Sequence, residues 1–168
     1  KLCPLNRICK TKSSGRFEEI PRPKRKTKYE DLFEIAVIIR HPTTKAVLIR
    51  QCQQDERWAG LWDFPRFTLG NLHVSNIKSD QDIHKNTKRD VQQAVRERCS
   101  ISIDEPVWIH SLKHSVTKYR VHLSCFESEI KTGSSDRFDK RKELRWVSSK
   151  ELRDIPLSVS GRQLAKFA

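Results

Sequence analysis

Two cysteines near the start of the chain are the first residues whose type and spacing could support chemistry. Cys3 and Cys9 are separated by five residues, and a proline directly follows the first of them. Zinc and iron–sulfur centres generally need four ligands, so this pair alone makes no complete metal site. Two interpretations stay open: the cysteines are incidental, as small buried hydrophobic residues, or they end a cluster whose first ligands lie upstream of Lys1.

Three histidines form a second candidate set. His110, His114 and His122 lie on adjoining strand stretches, with His114 at the turn predicted between them. Their spacing is not typical of metal ligands, and no Ser/His/Asp or Cys/His pairing has support in the sequence. The pattern therefore favours exposed or hydrogen-bonded strand histidines over a metal or catalytic site.

The positive charges form a third set, and they could bind a polyanion. The chain has 34 Lys and Arg against 21 Asp and Glu, a net charge of +13. Five of the positive charges lie within residues 22–28 beside two prolines, so we predict a basic interdomain linker over residues 13–30. This excess favours nucleic acid over a membrane surface, because no basic amphipathic or lipidation signal is visible. A merely soluble basic protein is the alternative.

The elements that must position these residues follow from the apolar pattern. We predict strands at residues 33–40, 46–52, 101–103, 107–112, 119–126 and 144–147, with a turn at 113–118 and a loop at 70–82. Helices are predicted at 82–99 and 161–167, and Ser148 with Glu151 matches a capping box that opens a short helix. The run at 57–66 predicts an aromatic core element with a bend at Gly60. The sequence thus predicts one α+β domain over residues 31–168, a mixed β-sheet packed with helices.

Bulk composition limits the class of protein further. A chain of 168 residues fits one domain with a real core. Five irregularly spaced cysteines and the lack of a signal peptide indicate an intracellular protein, cytoplasmic or nucleoid-associated in a bacterium and nuclear or mitochondrial in a eukaryote. The chain begins at Lys1 and contains no methionine, so we expect it to be a piece of a longer protein.

Four segments, at residues 3–9, 58–65, 114–118 and 145–157, together carry a family resemblance. They are similar, in order, to the end of an iron–sulfur cysteine pattern, a Gly-Leu-Trp-(Glu)-Phe-Pro signature, a His-x-Phe-(Ser/Thr)-His loop and a closing segment. The element order resembles the Nudix fold, and the four segments resemble the C-terminal part of MutY-type adenine DNA glycosylases.

This resemblance implies what lies outside the chain. Cys3 and Cys9 would be the third and fourth ligands of a 4Fe–4S cluster in the parent protein, so residues 1–12 would be the tail of that segment and no intact cluster is expected here. Hydrolysis of the N-glycosidic bond would belong to a missing N-terminal helical domain that acts on a flipped adenine. The parent would then be an adenine DNA glycosylase of base excision repair, and this chain its non-catalytic part.

The resemblance also implies that this domain recognises 8-oxoguanine opposite the adenine, in double-stranded DNA. That base differs from guanine by an oxygen at C8 and a proton on N7, and the hydroxyl of Thr117 can both donate and accept. Val116 and Lys118 stand where the family has phenylalanine and histidine. We therefore expect this loop to bind DNA more through charge contacts with phosphates and less through stacking on bases. The predicted DNA-binding residues are His114, Ser115, Val116, Thr117, Lys118, Arg120, Arg22, Lys24, Arg25, Lys26 and Lys28.

Two other functions compete with this one. A Nudix hydrolase of oxidised nucleotides needs several carboxylates on one helix to hold divalent cations. In Nudix hydrolases these carboxylates belong to a sequence motif, the Nudix box, that ends in a glycine. If this glycine is aligned with Ser100, the one carboxylate left at the aligned helix positions is Glu97, next to Arg98. The first glutamate position of the box falls on His73. The aligned Arg, Glu, Glu and Glu positions are Gln93, Ala94, Glu97 and Arg98. We therefore predict no catalytic residue in the chain.

The second competitor is a protein-interaction module that kept the fold for docking. Residues 163–167 loosely resemble a bacterial sliding-clamp peptide, which makes a sliding clamp a candidate partner. An amphipathic last helix that buries Leu164 and Phe167 explains the same residues.

Overall fold

An almost unbroken apolar run at residues 32–39 forms the centre of the structure. The computed structural model describes residues 3–16, 18–20, 28–68, 87–133 and 144–168, and this run lies within strand β1 (Glu30–Arg40). Its β-branched residues favour an extended backbone. The six residues from Glu34 to Ile39 are all buried, as expected for a strand that is covered on both faces.

Six further strands complete one mixed sheet. Their bounds are β2 (Val47–Gln51), β3 (Trp62–Asp63), β4 (Arg66–Thr68), β5 (Val107–Val116), β6 (Tyr119–Glu129) and β7 (Leu144–Val147). The main path is β3-β2-β1-β6-β5, with β4 also paired to β1 and β7 to β2. β1 and β6 run parallel along their full length, from Glu30 beside Tyr119 to Arg40 beside Glu129.

Helices pack on both faces of this sheet. The described helices are α1 (Lys10–Ser13), α2 (Lys88–Cys99), a 3₁₀ turn (Glu151–Arg153) and α3 (Val159–Leu164). Odd-numbered core residues of β1, such as Ile35, share one buried cluster with α2, and even-numbered ones, such as Ile38, share another with the 3₁₀ turn and α3. The predicted α+β fold class is therefore confirmed. Within the described ranges, no helix is long and apolar enough to cross a membrane.

Most of the predicted elements are confirmed. The strands at 33–40 and 46–52 form the β1–β2 hairpin, and the strand at 144–147 is β7. The capping box is present, since the Ser148 N–H donates to Glu151 Oε2 at 2.8 Å, although it opens a 3₁₀ turn rather than an α-helix. The helix predicted at 82–99 is described from Lys88 onward. The predicted loop at 70–82 lies outside the described residues.

Three predicted bounds are wrong for identifiable reasons. The turn at 113–118 is strand as far as Val116, because its residues alternate between exposed and half-buried. Residues 101–103 form no strand of the sheet: Ile103 makes only an isolated bridge to Ile130. The last helix begins at Val159 because Ser158 caps it, accepting the Gly161 N–H at 2.9 Å.

The aromatic run at 57–66 contributes to the core through its second half. Phe64 is fully buried, whereas Trp58 and Trp62 are half-buried. The predicted bend is confirmed at Gly60, which has a φ of 81° and donates its N–H to the Cys52 carbonyl at 3.0 Å. The bend returns the chain toward the sheet, where β3 and β4 follow.

The division of the chain into segments 1–12, 13–30 and 31–168 stays a prediction.

Candidate nucleic-acid interface

The β5–β6 hairpin holds the predicted recognition residues and ends in a two-residue turn. Val116 and Tyr119 form the last cross-strand pair, which leaves Thr117 and Lys118 exposed at the tip. Thr117 has a φ of 54°, in the left-handed region that a β-branched residue rarely adopts. Such backbone strain, about 1–3 kcal/mol, persists where the surrounding structure enforces it, and it concentrates at functional sites.

The start of β1 lies directly beside this turn. The Glu30 N–H donates to the Lys118 carbonyl at 2.9 Å, and the Lys118 ammonium lies 3.1 Å from Glu30 Oε1. Arg120 places its guanidinium 5.4 Å from the Tyr29 ring centroid. Because Lys28 immediately precedes Tyr29, this described residue of the basic segment leads into β1 close to the turn. Four of the predicted basic contacts lie outside the described residues: Arg22, Lys24, Arg25 and Lys26.

Strand alternation separates the predicted hairpin residues onto two faces. The pair Ser115 and Arg120 lies on one face, and both side chains are exposed. His114 and Val116 lie on the opposite face and are half-buried. The structure therefore brings Ser115 and Arg120 together in the strands and Thr117 and Lys118 together at the tip, while His114 faces the body of the domain.

The three histidines have different environments. His122 matches the prediction of a hydrogen-bonded strand histidine, since its Nε2 lies 2.8 Å from Asp31 Oδ1. His110 packs its ring 4.8 Å from that of Phe167. His114 departs from the prediction: in the described part of the chain its buried Nε2 has no hydrogen-bond partner. Burial lowers the pKa of His114, and the nearby Arg66 guanidinium lowers it further.

A cleft of about 210 Å³ adjoins the hairpin and has charged walls. Its acidic residues are Glu34, Glu56 and Asp63, and its basic residues are Arg50, Arg57, Arg66 and Arg98. Each carboxylate already faces a guanidinium. Glu34 is paired with Arg57 at 3.1 Å and with Arg66 at 3.4 Å. Glu56 is paired with Arg50 at 2.7 Å, and Asp63 with Arg66 at 3.1 Å.

The face of α2 lacks the donors that a divalent metal site would need. Ser100, the position aligned with the last glycine of the Nudix box, has a left-handed φ of 59°, which fits that alignment. Glu97 is exposed and accepts a hydrogen bond from Gln93 at 2.9 Å, while Arg98 points toward Glu56 at 3.7 Å. No group of three or more His, Cys, Asp or Glu side chains within the described ranges could hold a metal ion. These residues do not fit a hydrolase metal centre.

The five cysteines are free thiols in the structure. Cys3 is exposed and Cys9 is half-buried, so the interpretation of Cys3 as a small buried hydrophobic residue is wrong. Their role as two ligands of an iron–sulfur cluster stays a prediction.

Comparison with known proteins agrees with this architecture. The chain belongs to the Nudix domain family, whose profile matches residues 35–166, more than three quarters of the sequence. A search of curated proteins returned no match.

Solved structures resemble the chain at low sequence identity. The MutT protein from Methanosarcina mazei Go1 is 18% identical with a TM-score of 0.60, and the match covers 83% of this chain and 94% of that one. The C-terminal domain of mouse MUTYH, in complex with human PCNA, is 16% identical with a TM-score of 0.58, covering 82% and 86%. The NUDIX domain of Shewanella oneidensis NrtR, complexed with ADP ribose, is 12% identical with a TM-score of 0.58, covering 89% and 93%. At these identities the likeness shows the fold alone.

Sequence reasoning missed two residues that the geometry connects to the turn. Tyr119 directly follows it and lies near two cations, Lys118 at 5.0 Å and Arg57 at 5.7 Å from the ring centroid. The available signal was the run Lys118-Tyr119-Arg120, in which an aromatic residue alternates with basic ones. No local pattern indicates Arg57, because its partners are distant in the sequence.

We predict that His114 makes stability depend on pH. Its pKa is lower in the folded state, so the unfolded chain binds the proton more readily and the free energy of unfolding falls as the pH drops below about 6.5. His114→Phe keeps a ring of similar area and should flatten this dependence between pH 5 and 7. Urea unfolding of both proteins across that range measures the difference in their free energies of unfolding. The contributions of the five other histidines cancel in this difference. Parallel curves would contradict the prediction.

Proposed function

We propose that this Nudix domain is the DNA-lesion recognition module of an adenine DNA glycosylase. In this role it reads 8-oxoguanine opposite the mispaired adenine during base excision repair, and the parent protein's N-terminal domain removes the adenine. The observation that carries the proposal is Thr117, exposed at the tip of the β5–β6 hairpin with a left-handed φ of 54°.

The chemistry of the tip supports this role. A hydroxyl can meet both the N7 proton and the C8 oxygen of the damaged base, whereas the corresponding edge of guanine offers acceptors only. The strain at Thr117 would be relieved by glycine or asparagine, so the threonine side chain has a cost that stability alone does not explain. A hydroxyl required for recognition gives a reason for that cost.

The charges around the tip support contact with DNA. Lys118 and Arg120 are exposed on the hairpin, and Lys28 lies two residues before the strand that starts beside it. Such cations neutralise phosphates without reading sequence. Val116 is half-buried and has little area to insert between bases. Charge contacts should therefore contribute more to DNA affinity than stacking does.

A hydrolase of oxidised nucleotides is less well supported. The α2 positions aligned with the family's metal-binding glutamates include Ala94 and Arg98, and the cleft carboxylates face guanidinium groups. We therefore expect no Mg²⁺- or Mn²⁺-dependent hydrolysis of 8-oxo-dGTP above the rate of a no-protein blank. A MutT hydrolase assayed in parallel serves as the positive control. Metal-dependent turnover by this chain would favour the hydrolase instead.

A sliding clamp is a candidate partner, since the mouse MUTYH domain of similar fold is described in complex with PCNA. Residues 163–167 are poorly placed to act as the docking peptide. Leu164 is fully buried in the core, whereas Phe167 lies beyond the last helix and is 41% exposed although its ring packs near His110. The prediction that the last helix buries both residues is therefore wrong for Phe167. A clamp contact through this peptide could not use Leu164 while the helix stays packed on the core.

The central test of the proposed function is Thr117→Val. Valine keeps the β-branched shape and the backbone strain but removes the hydroxyl, so it should lower the preference for 8-oxoguanine over guanine about tenfold, the scale of one specific base contact. General DNA affinity should change little. Competition binding with 8-oxoguanine:adenine and guanine:adenine duplexes, using this chain and the full parent protein, measures both quantities.

Thr43→Val is the matched control for this test. Thr43 is also exposed and lies in the β1–β2 turn, at the opposite end of β1, so it should leave the preference unchanged. Equal discrimination by Thr117→Val and wild type would refute the assigned contact.

The basic segment gives a separate prediction. Changing Lys24, Arg25, Lys26 and Lys28 to glutamine should weaken binding to both duplexes alike and flatten the dependence of log K on log salt, by about 0.9 for each phosphate that is no longer neutralised. The control changes four cations at the far end of the sheet, Lys45, Arg89, Arg96 and Lys131, and should leave the slope nearer wild type. An unchanged slope in the first variant would exclude the segment from DNA contact.

A further inference from the structure

Besides the contacts between Glu30 and Lys118, a long-range contact joins the Thr117–Lys118 turn to the body of the domain through Tyr119. The ring of Tyr119 lies near two cations, with Lys118 Nζ 5.0 Å and the Arg57 guanidinium carbon 5.7 Å from its centroid. Lys118 belongs to the turn itself and moves with it. Arg57 belongs to the loop between β2 and β3, so its contact crosses from the body to the hairpin.

The Arg57 guanidinium is also held by an ion pair with a buried carboxylate. Its Nη1 donates to Glu34 Oε1 at 3.1 Å, and Glu34 is 6% exposed on the central strand β1. The second oxygen of Glu34 accepts from Arg66 at 3.4 Å. A carboxylate this deeply buried holds its partners firmly, because removing one leaves charge without compensation in a medium of low dielectric.

Hydrogen bonds hold the loop that carries Arg57 in place. Cys52 donates its N–H to the Leu61 carbonyl at 2.8 Å, which closes the base of the loop. Glu56, adjacent to Arg57, accepts from Arg50 Nη1 and from the Gln53 N–H, both at 2.7 Å. Glu56 and Arg57 therefore anchor the loop to different neighbours, with Glu56 facing the β2 side and Arg57 facing the hairpin.

From this geometry we infer that Arg57 is a positioning residue for lesion recognition: it bridges buried Glu34 and the Tyr119 ring, and so fixes the position of the Thr117–Lys118 turn relative to the loop between β2 and β3. The inference rests on the proposed function for its consequence in DNA binding. The bridge itself is a property of the folded chain. His114 supports it, since its half-buried ring on the same hairpin face is close enough to Arg57 and Arg66 for their charges to act on it.

A direct phosphate contact by Arg57 is the competing role, because its side chain is 29% exposed. The two roles give different measurements. If Arg57 neutralises a phosphate, its removal weakens binding to every duplex and lowers the salt slope by about 0.9. If Arg57 positions the turn, its removal lowers the preference for 8-oxoguanine and leaves the salt slope unchanged.

The experiment combines variants at both ends of the bridge in the full chain. Arg57→Gln and Tyr119→Leu should each lower the 8-oxoguanine preference threefold to tenfold, and the double variant should lower it no further than either single one. Tyr119→Phe keeps the ring and should stay within twofold of wild type. Arg98→Gln removes another cleft cation that contacts Glu56 but not the hairpin, and should leave the preference unchanged.

Amide hydrogen exchange tests the bridge independently of DNA binding. Amide hydrogen exchange at Glu30, whose N–H is bonded to the Lys118 carbonyl, should accelerate in Arg57→Gln and Tyr119→Leu but not in Arg98→Gln. Tyr119→Leu leaves the Arg57–Glu34 pair in place, so it tests the bridge even if Arg57→Gln unfolds. If wild type shows no lesion preference, the proposed function fails, and unchanged Glu30 exchange in both variants overturns the bridge. Additive effects in the double variant, or a reduced salt slope, also overturn it.

Discussion

A single buried carboxylate determines how several parts of this domain meet. Glu34 lies on the central strand, and a charge at that depth is stable only with close, well-oriented partners. Arg57 brings the loop after β2 to it, and Arg66 brings β4. Arg66 extends the connection to Asp63 at 3.1 Å and to Ser160 Oγ at 2.8 Å, which lies on the last helix. Removing one partner would therefore disturb contacts among strands, loop and helix together.

This charge network adjoins α2, the helix that aligns with the Nudix box, through Arg98 and Glu56 at 3.7 Å. A guanidinium supplies fixed positive charge without a metal, and its planar fork suits carboxylates. In such a cleft, each carboxylate that pairs with an arginine is less available as a metal ligand. In the described part of the cleft, ion pairs with arginines thus satisfy the carboxylates of Glu34, Glu56 and Asp63.

The sequence predicted the parts of this structure that local patterns determine. The apolar run of β1, the turn after it and the capping box of Ser148 and Glu151 depend on residues within a few positions of one another. The length of β5 was missed, because the polar residues near His114 look like a turn although they alternate as a strand does. The buried position of Ile103 outside the sheet depends on its packing against α2, which no neighbouring residue predicts.

The candidate site was predictable to a similar extent. The apolar pattern placed Thr117 and Lys118 in a turn between two strands and the resemblance suggested their role, but neither predicted the left-handed backbone of Thr117. The bridge from Glu34 through Arg57 to Tyr119 joins three segments that are far apart in the sequence. Pairings of this kind depend on strand register and side-chain direction, which emerge only when the sheet has formed.

The parallel pairing of β1 with β6 also sets two regions of the domain far apart. The Thr117–Lys118 turn lies where Glu30 meets Tyr119, while Arg40 near the opposite end donates to the Phe167 carbonyl at 2.6 Å. His110, which packs on Phe167, is paired with Cys125, six residues along β6 from Tyr119, a separation of roughly 20 Å at 3.3 Å per residue. Under the proposed function, a duplex bound at the turn would leave the exposed Phe167 side chain at the other end of the sheet uncovered.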